Sequence, residues 1–426
     1  MNSTSVTGGD QPHSTASHLL GQIKRWSIAA IAAALLLGCG GGGDDAPQQW
    51  VGAWASSSEP ADLQFVGISA TPLANQTVRQ SALITGSGTA VRVRLSNRFG
   101  AGSVRIGGAS IAKSGGAGSI VDGSSVALRF AGQPSAVIPA GGELTSDLAA
   151  VSVDAGQQLS VSVYMPDATP SPDWHFTAQQ TNYVAPGNQI SATSLQSASS
   201  STSGLLISEI DVLGSSEQRT IVCLGDSITD GLASTIDAHA SYPDQFFGRI
   251  KAAGMQRTVV NAGISANRLL HDIVGASTLS RVDKDVLSVP GLSHVILLIG
   301  INDIGLNAVL NRAGEDVSAD QIIAGLTEIA SKVHVRQVKI VGATLTPFGG
   351  ATTPGYYSDA GELKRQQVNA WVRSSKVFDG FIDFDLALRD PADPSHLRAD
   401  YNSGDNLHPN DAGYAAMAKA IDLSMF

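Results

Sequence analysis

The sequence predicts two architectures in series: an all-β sandwich or jelly-roll domain over residues 50–213, then an α/β domain over residues 214–426 with a doubly wound, five-stranded parallel sheet. Three observations lead there. Between Trp50 and Leu213, apolar residues recur at alternate positions in short segments broken by Gly, Pro, Asn and Asp, with no long helical period. After Arg219 the pattern changes to short apolar runs separated by helical segments, as expected of strands covered on both faces. The length of 426 residues also suits two domains better than one.

Residues 1–49 read as an export signal and tether. Lys24 and Arg25 precede an apolar run from Ile28 to Leu37, then Gly38 and Cys39. A membrane-spanning helix needs about 20 apolar residues, so this run is too short to span. Gly40 to Gly43 and two aspartates follow it, a flexible composition. Leu36-Leu37-Gly38-Cys39 resembles the bacterial lipobox, which implies lipidation of Cys39 and, with Gly40 behind it, an exported lipoprotein of the outer membrane.

In the β-region, Val91, Val93 and Leu95 alternate with Arg92, Arg94 and Ser96, and Leu159, Val161 and Val163 alternate with Ser160, Ser162 and Tyr164. Each strand should have one buried and one wet face. Thr77 to Ile84, Val104 to Ala112 and Leu205 to Val212 are further strands, and Ser194 to Ser203 reads as a low-complexity loop. The parallel strands are Thr220 to Leu224, Thr258 to Asn261, His294 to Ile299, Val338 to Ala343 and Gly380 to Phe384. Ile322, Ile323, Leu326, Ile329 and Val333 recur at helical spacing, with Asp316 or Ser318 as the cap.

Composition excludes several function classes. The formal charge of -10, from 27 basic and 37 acidic residues, argues against broad binding to nucleic acid or anionic lipid. Two cysteines, Cys39 and Cys223, make no disulfide framework.

The chemistry concentrates at the strand ends. Ser227, in Gly225-Asp226-Ser227, stands just past the first parallel strand, where a hydroxyl with a nearby base becomes a nucleophile. Asp405 precedes His408 by three residues, so its carboxylate can hold the imidazole and stabilise the imidazolium. Asp393 and His396 have the same spacing, which leaves two candidate bases. His175, beside Trp174, reads as a packed residue of the β-region. Two loops offer donors for a developing oxyanion: Asn261-Ala262-Gly263, where a glycine lets a backbone N–H approach a ligand, and Gly300-Ile301-Asn302-Asp303, where a neutral amide can donate; taken singly each is also an ordinary turn.

Gly225-Asp226-Ser227, Gly263, Gly300-Ile301-Asn302-Asp303 and Asp405-Asn406-Leu407-His408 together resemble the four blocks of the GDSL, or SGNH, hydrolases. Ile228 stands where the family name has Leu. The resemblance implies Ser227, Asp405 and His408 as the catalytic set, Ser227, Gly263 and Asn302 as the oxyanion hole, and no metal or cofactor. Val51-Gly52-Ala53-Trp54 and Leu95 to Gly100 are similar to exported bacterial members with an amino-terminal β-domain, some of them arylesterase- or acylhydrolase-like.

The expected reaction is hydrolysis of short-chain, aryl or carbohydrate O-acyl esters, acetyl above all, through an acyl-enzyme; an acylated polysaccharide is one candidate partner. A lysophospholipase or lipase is the alternative, and a glycan-binding surface protein with an idle hydrolase domain is a third reading. Tyr356, Tyr357 and Tyr401, in the rim segments, are candidates to stack on sugar or aryl rings.

Overall fold

The computed structural model describes residues 47–426 except 64–67, 71, 170 and 171; Cys39 and the export segment therefore lie outside the described residues. Ala46–Phe426 is one compact unit. No helix among the described residues is long and apolar enough to cross a membrane.

The β-region is built on strands β1 (Gln48–Ala55), β2 (Gln76–Leu83), β3 (Val91–Asn97), β4 (Gly108–Gly116), β5 (Gly142–Thr145), β6 (Gln158–Met165), β7 (Asn182–Pro186) and β8 (Ile207–Ser215). One antiparallel sheet runs β1-β8-β3-β5, and the other contains β7-β2-β6-β4. The alternate apolar residues of β3 and β6 meet in one shared core, as the period of two requires. On the other face of β3, Arg92 pairs with Asp211 at 2.7 Å and Arg94 with Glu209 at 2.6 Å, each directly opposite on β8.

The polar face of β6 is not wet. Ser160 and Ser162 are buried, Ser160 facing Ser81 and Ser162 facing Arg79, itself fully buried. Arg79 donates to Ser162 Oγ at 2.8 Å and to the carbonyls of Gly118, Gln189 and Ala192 at 2.9, 3.1 and 2.9 Å. The chain after β7 folds back over this sheet, and a guanidinium satisfies the carbonyls it brings there. Within the serine-rich segment expected as a loop, Ser199–Ser201 pairs with Asn182, Tyr183 and Val184 as an edge strand.

Strands β9 (Arg219–Gly225), β10 (Arg257–Gly263), β11 (Leu292–Leu298), β12 (Lys339–Ala343) and β13 (Gly380–Ile382) form the five-stranded parallel sheet in the order β10-β9-β11-β12-β13. The strand order reverses between β9 and β11, the position at which open parallel sheets place their ligand sites. Helices α1 (Ser227–Asp230), α2 (Tyr242–Ala252), α3 (Thr278–Asp285), α4 (Ile301–Val309), α5 (Ala319–Val335), α6 (Asp359–Ser374), α7 (Phe384–Leu388) and α8 (Asp411–Ala420) accompany it. Ser318 caps α5 in a reciprocal box with Gln321, and Ile322, Leu326, Ile329 and Val333 face the core.

The β-region packs on this sheet through polar as well as apolar atoms. Thr258 Oγ1 donates to Gly52 O at 2.6 Å, Gly52 N donates to Pro290 O at 3.0 Å, and Val259 N donates to Thr85 Oγ1 at 3.2 Å.

Candidate active site

Strand register gathers the chemistry. Gly225 lies opposite Gly263 on β10 and Leu298 on β11, so the segments that follow all three strands leave the same edge of the sheet. Ser227 begins α1, with Asp226 as the N-cap accepting from Ile228 N at 3.0 Å. Asn302 lies in the first turn of α4. His408 stands in the loop before α8, which is tied to the exit of α1 by a 2.6 Å hydrogen bond from Tyr414 Oη to Leu232 O.

The structure brings Ser227, His408 and Asp405 into one line. Ser227 Oγ is 2.8 Å from His408 Nε2, and His408 Nδ1 is 2.5 Å from Asp405 Oδ2. The second Asp405 oxygen accepts from the backbone N–H groups of Leu407 and His408 at 2.9 and 2.8 Å. Burial raises the Asp405 pKa, but these hydrogen bonds and the facing imidazole outweigh it and hold the carboxyl far below the usual range. A carboxylate on Nδ1 fixes the proton there and leaves Nε2 as the acceptor for the serine proton.

The competing pair, Asp393 and His396, forms the same kind of contact at 2.8 Å, but in an exposed loop. His396 Nδ1 also meets Ser395 Oγ at 3.0 Å, and among the described residues His396 makes no hydrogen bond to Ser227.

The oxyanion donors need one correction. Gly263 N–H is already given to Asn261 Oδ1 at 2.8 Å. A Cβ at this glycine would come 2.6 Å from Asp230 Cα, so the residue is small because α1 packs against it. The next turn offers a better donor. Asn267 N bonds back to Ile264 O at 3.1 Å, Ala266 takes the left-handed conformation (φ 62), and neither the Ala266 nor the Ser227 N–H has a partner among the described residues.

Asn302 is held from both ends. Its Nδ2 donates to Asn267 O at 3.0 Å and its Oδ1 accepts from Tyr356 Oη at 2.7 Å. The phenol fixes the amide orientation and leaves one N–H for a ligand. Asp303 accepts from Leu269 N and Leu270 N at 2.7 and 3.0 Å, which pins the loop after β10 to the start of α4. Burial pushes the Asp303 carboxyl up to about 6 and that of Asp226 up to about 7.

Sequence reasoning missed Tyr356 and Ala266, and it placed Tyr356 among rings that face a substrate. Tyr356 is instead buried beneath Asn302. Tyr357 packs on Phe348 with ring centroids 5.1 Å apart, and Tyr401 lies under the Arg398 guanidinium at 4.7 Å. His175, read as packing, bonds to Asp230 of α1 at 2.9 Å.

Residues 223–416 match the model of the GDSL-like Lipase/Acylhydrolase family. No curated protein matches the sequence. Among solved structures, the chain is similar to a lipase/acylhydrolase from Enterococcus faecalis, with 20% identity over 48% of this chain and 93% of that one and a TM-score of 0.37. An acetyl xylan esterase matches at 20% identity over 47% of this chain and 96% of that one, with a TM-score of 0.36. A carbohydrate acetylesterase from Sinorhizobium meliloti matches at 14% identity over 48% and 96%, with a TM-score of 0.38.

Proposed function

We propose that this protein is a serine-dependent carboxylic ester hydrolase that acts through an acyl-enzyme on short-chain, aryl or carbohydrate O-acyl esters, acetyl esters foremost. The observation that carries the reading is the unbroken contact from Ser227 Oγ through the His408 ring to the Asp405 carboxylate. His408 takes the serine proton as Oγ attacks the ester carbonyl, then returns it to the departing alcohol. The Asn302 amide and the open N–H groups of Ser227 and Ala266 supply donors for the developing oxyanion. Water repeats the sequence and frees the acid.

The preference for small acyl groups has its own support. Among the described residues, none of the exposed large apolar side chains lies in residues 225–232, 263–270, 300–307, 345–357 or 396–409, the segments around the triad. A long acyl chain would want an apolar mouth there. The same proposal makes Cys39 the lipid anchor of an exported enzyme; Cys39→Ala should then move the protein from the membrane fraction to the soluble one.

Initial rates on a small aryl acetate test the chemistry. Ser227→Ala and His408→Ala should each lose at least about 10³-fold in kcat while remaining folded, and His396→Ala should keep wild-type rates. Turnover that survives Ser227→Ala overturns the reading. A series of aryl esters should fall steeply beyond short chains, and a maximum at long chains would replace it with a lipid substrate.

A further inference from the structure

The nucleophile sits on a turn that cannot hold itself. α1 has four residues, a single turn, and it stops at Gly231 in the left-handed conformation. Its orientation therefore depends on side chains. Thr229 Oγ1 meets Tyr242 Oη at 3.2 Å and Asn261 Nδ2 donates to Thr229 O at 2.8 Å; both partners belong to the α/β region.

The Asp230 carboxylate reaches further. Its Oδ1 accepts from His175 Nε2 at 2.9 Å. Its Oδ2 is 2.5 Å from Thr177 Oγ1 and 2.8 Å from Ser265 Oγ, and those two hydroxyls are 2.6 Å apart. His175 and Thr177 come from the β-region between β6 and β7, whereas Ser265 lies in the turn that carries Ala266. One buried carboxylate thus ties the end of the nucleophile turn, the oxyanion-side turn and the β-region together.

Charge makes the contact a demanding one. Asp230 is buried, and a carboxylate taken out of water needs partners. His175 offers a compensating cation, because its Nδ1 meets Ser57 O at 2.9 Å and both ring nitrogens have acceptors. Although burial lowers the His175 pKa, Asp230 and Glu59 lift it to about 9. Arg281 adds a second latch nearby, donating to Gly225 O and Ala262 O at 2.8 Å each and to Ser57 Oγ at 3.2 Å.

We infer that His175 and Thr177 of the β-region are positioning residues for Ser227, acting through the Asp230 carboxylate to set the nucleophile turn and the oxyanion-side turn at their working separation. The inference rests on the ester-hydrolase reading above. It gives the β-region a part in turnover as well as in stability. A displacement of about 1 Å between reacting groups typically costs about 10²-fold in rate, and loosening this node acts on that separation without touching substrate.

The test uses the full chain with Thr177→Val, Thr177→Ser and His175→Gln, read by initial rates on an aryl acetate and by the rate of Ser227 labelling with a fluorophosphonate. Thr177→Val should lower kcat and the labelling rate about tenfold, and His175→Gln by about 10- to 100-fold, with KM within about threefold. Thr177→Ser, which keeps the hydroxyl, should restore both rates. Folded variants with wild-type kcat and labelling, or a change confined to KM, overturn the inference. Labelling of wild-type Ser227 without ester turnover would overturn the ester reading alone, and labelling would still report the positioning. Neither labelling nor turnover in the wild type would overturn both.

Discussion

Tyr356 does for Asn302 what Asp405 does for His408: it fixes which atom of a two-faced side chain points at the reaction. Its phenol donates to Asn302 Oδ1 at 2.7 Å, so only the amide nitrogen is left for an oxyanion. Tyr356→Phe removes that constraint without changing volume, and kcat should fall about tenfold with KM little altered, whereas Asn302→Ala should cost about 10²–10³. Equal rates for Tyr356→Phe and wild type would show that the phenol does not orient the amide. Such partnerships were illegible in the sequence because Tyr356 and Asn302 are far apart in the chain, and a tyrosine in a polar loop looks like a ring for the substrate. The triad was legible to a point: both Asp-x-x-His pairs form, as their spacing requires, but only the fold decides which imidazole meets Ser227.

His175 also leaves a signature in pH dependence. Its pKa stands at about 9, above the ordinary 6.5, with Asp230, Glu59 and Arg281 as the charged groups around it; Glu59 is pushed up to about 7 by burial. Both groups bind protons more tightly in the folded state, so their contributions are whole at low pH and shrink as pH rises. Glu59 loses its share between about 4.5 and 7, and His175 between about 6.5 and 9. Thermal midpoints measured from pH 5.5 to 9.5 should decline, and His175→Gln should flatten the part above pH 6.5. A His175→Gln profile parallel to wild type would contradict the charge assignment.

At the scale of elements, the parallel strands were readable because strands buried on both faces are written as continuous apolar runs. The function of their ends was less so. A glycine after a strand fits either a donor that must approach a ligand or a surface that must admit a helix, and Gly263 proved to be the second, since Asn261 already holds its N–H. The polar face of β6 was misread for a related reason: alternation says which residues share a face, but not whether a distant segment will cover it. Arg79 joins four acceptors under that cover. Arg79→Met keeps much of the volume but strands the carbonyls of Gly118, Gln189 and Ala192, and should lower stability by about 2–4 kcal/mol in denaturant titrations. A loss below about 0.5 kcal/mol would mean that water replaces the guanidinium there.

At the scale of the whole molecule, the β-region and the α/β region share buried charge. Arg98, from just beyond β3, pairs with Asp285 of α3, and Asp285 also meets Arg281 at 3.0 Å. Arg281 in turn holds the carbonyls at the ends of β9 and β10. Burial alone would raise the Asp285 pKa, yet the two guanidinium groups bring it below its usual value, so the carboxylate stays charged where water is scarce. Separating the two regions would take Arg98 from Asp285 and His175 from Asp230, and parting buried charges from their partners costs more than the pairs themselves contribute. The regions should therefore unfold as one. Calorimetry on the full chain should give a single transition, and Arg98→Ala should move that whole transition down, by about 3 kcal/mol of stability, without splitting it. Two resolved transitions in the wild type, with only one of them shifted by Arg98→Ala, would show two cores that merely touch. The single transition is also what the Asp230 node demands: a nucleophile turn held through His175 and Thr177 works only while the β-region remains folded on it.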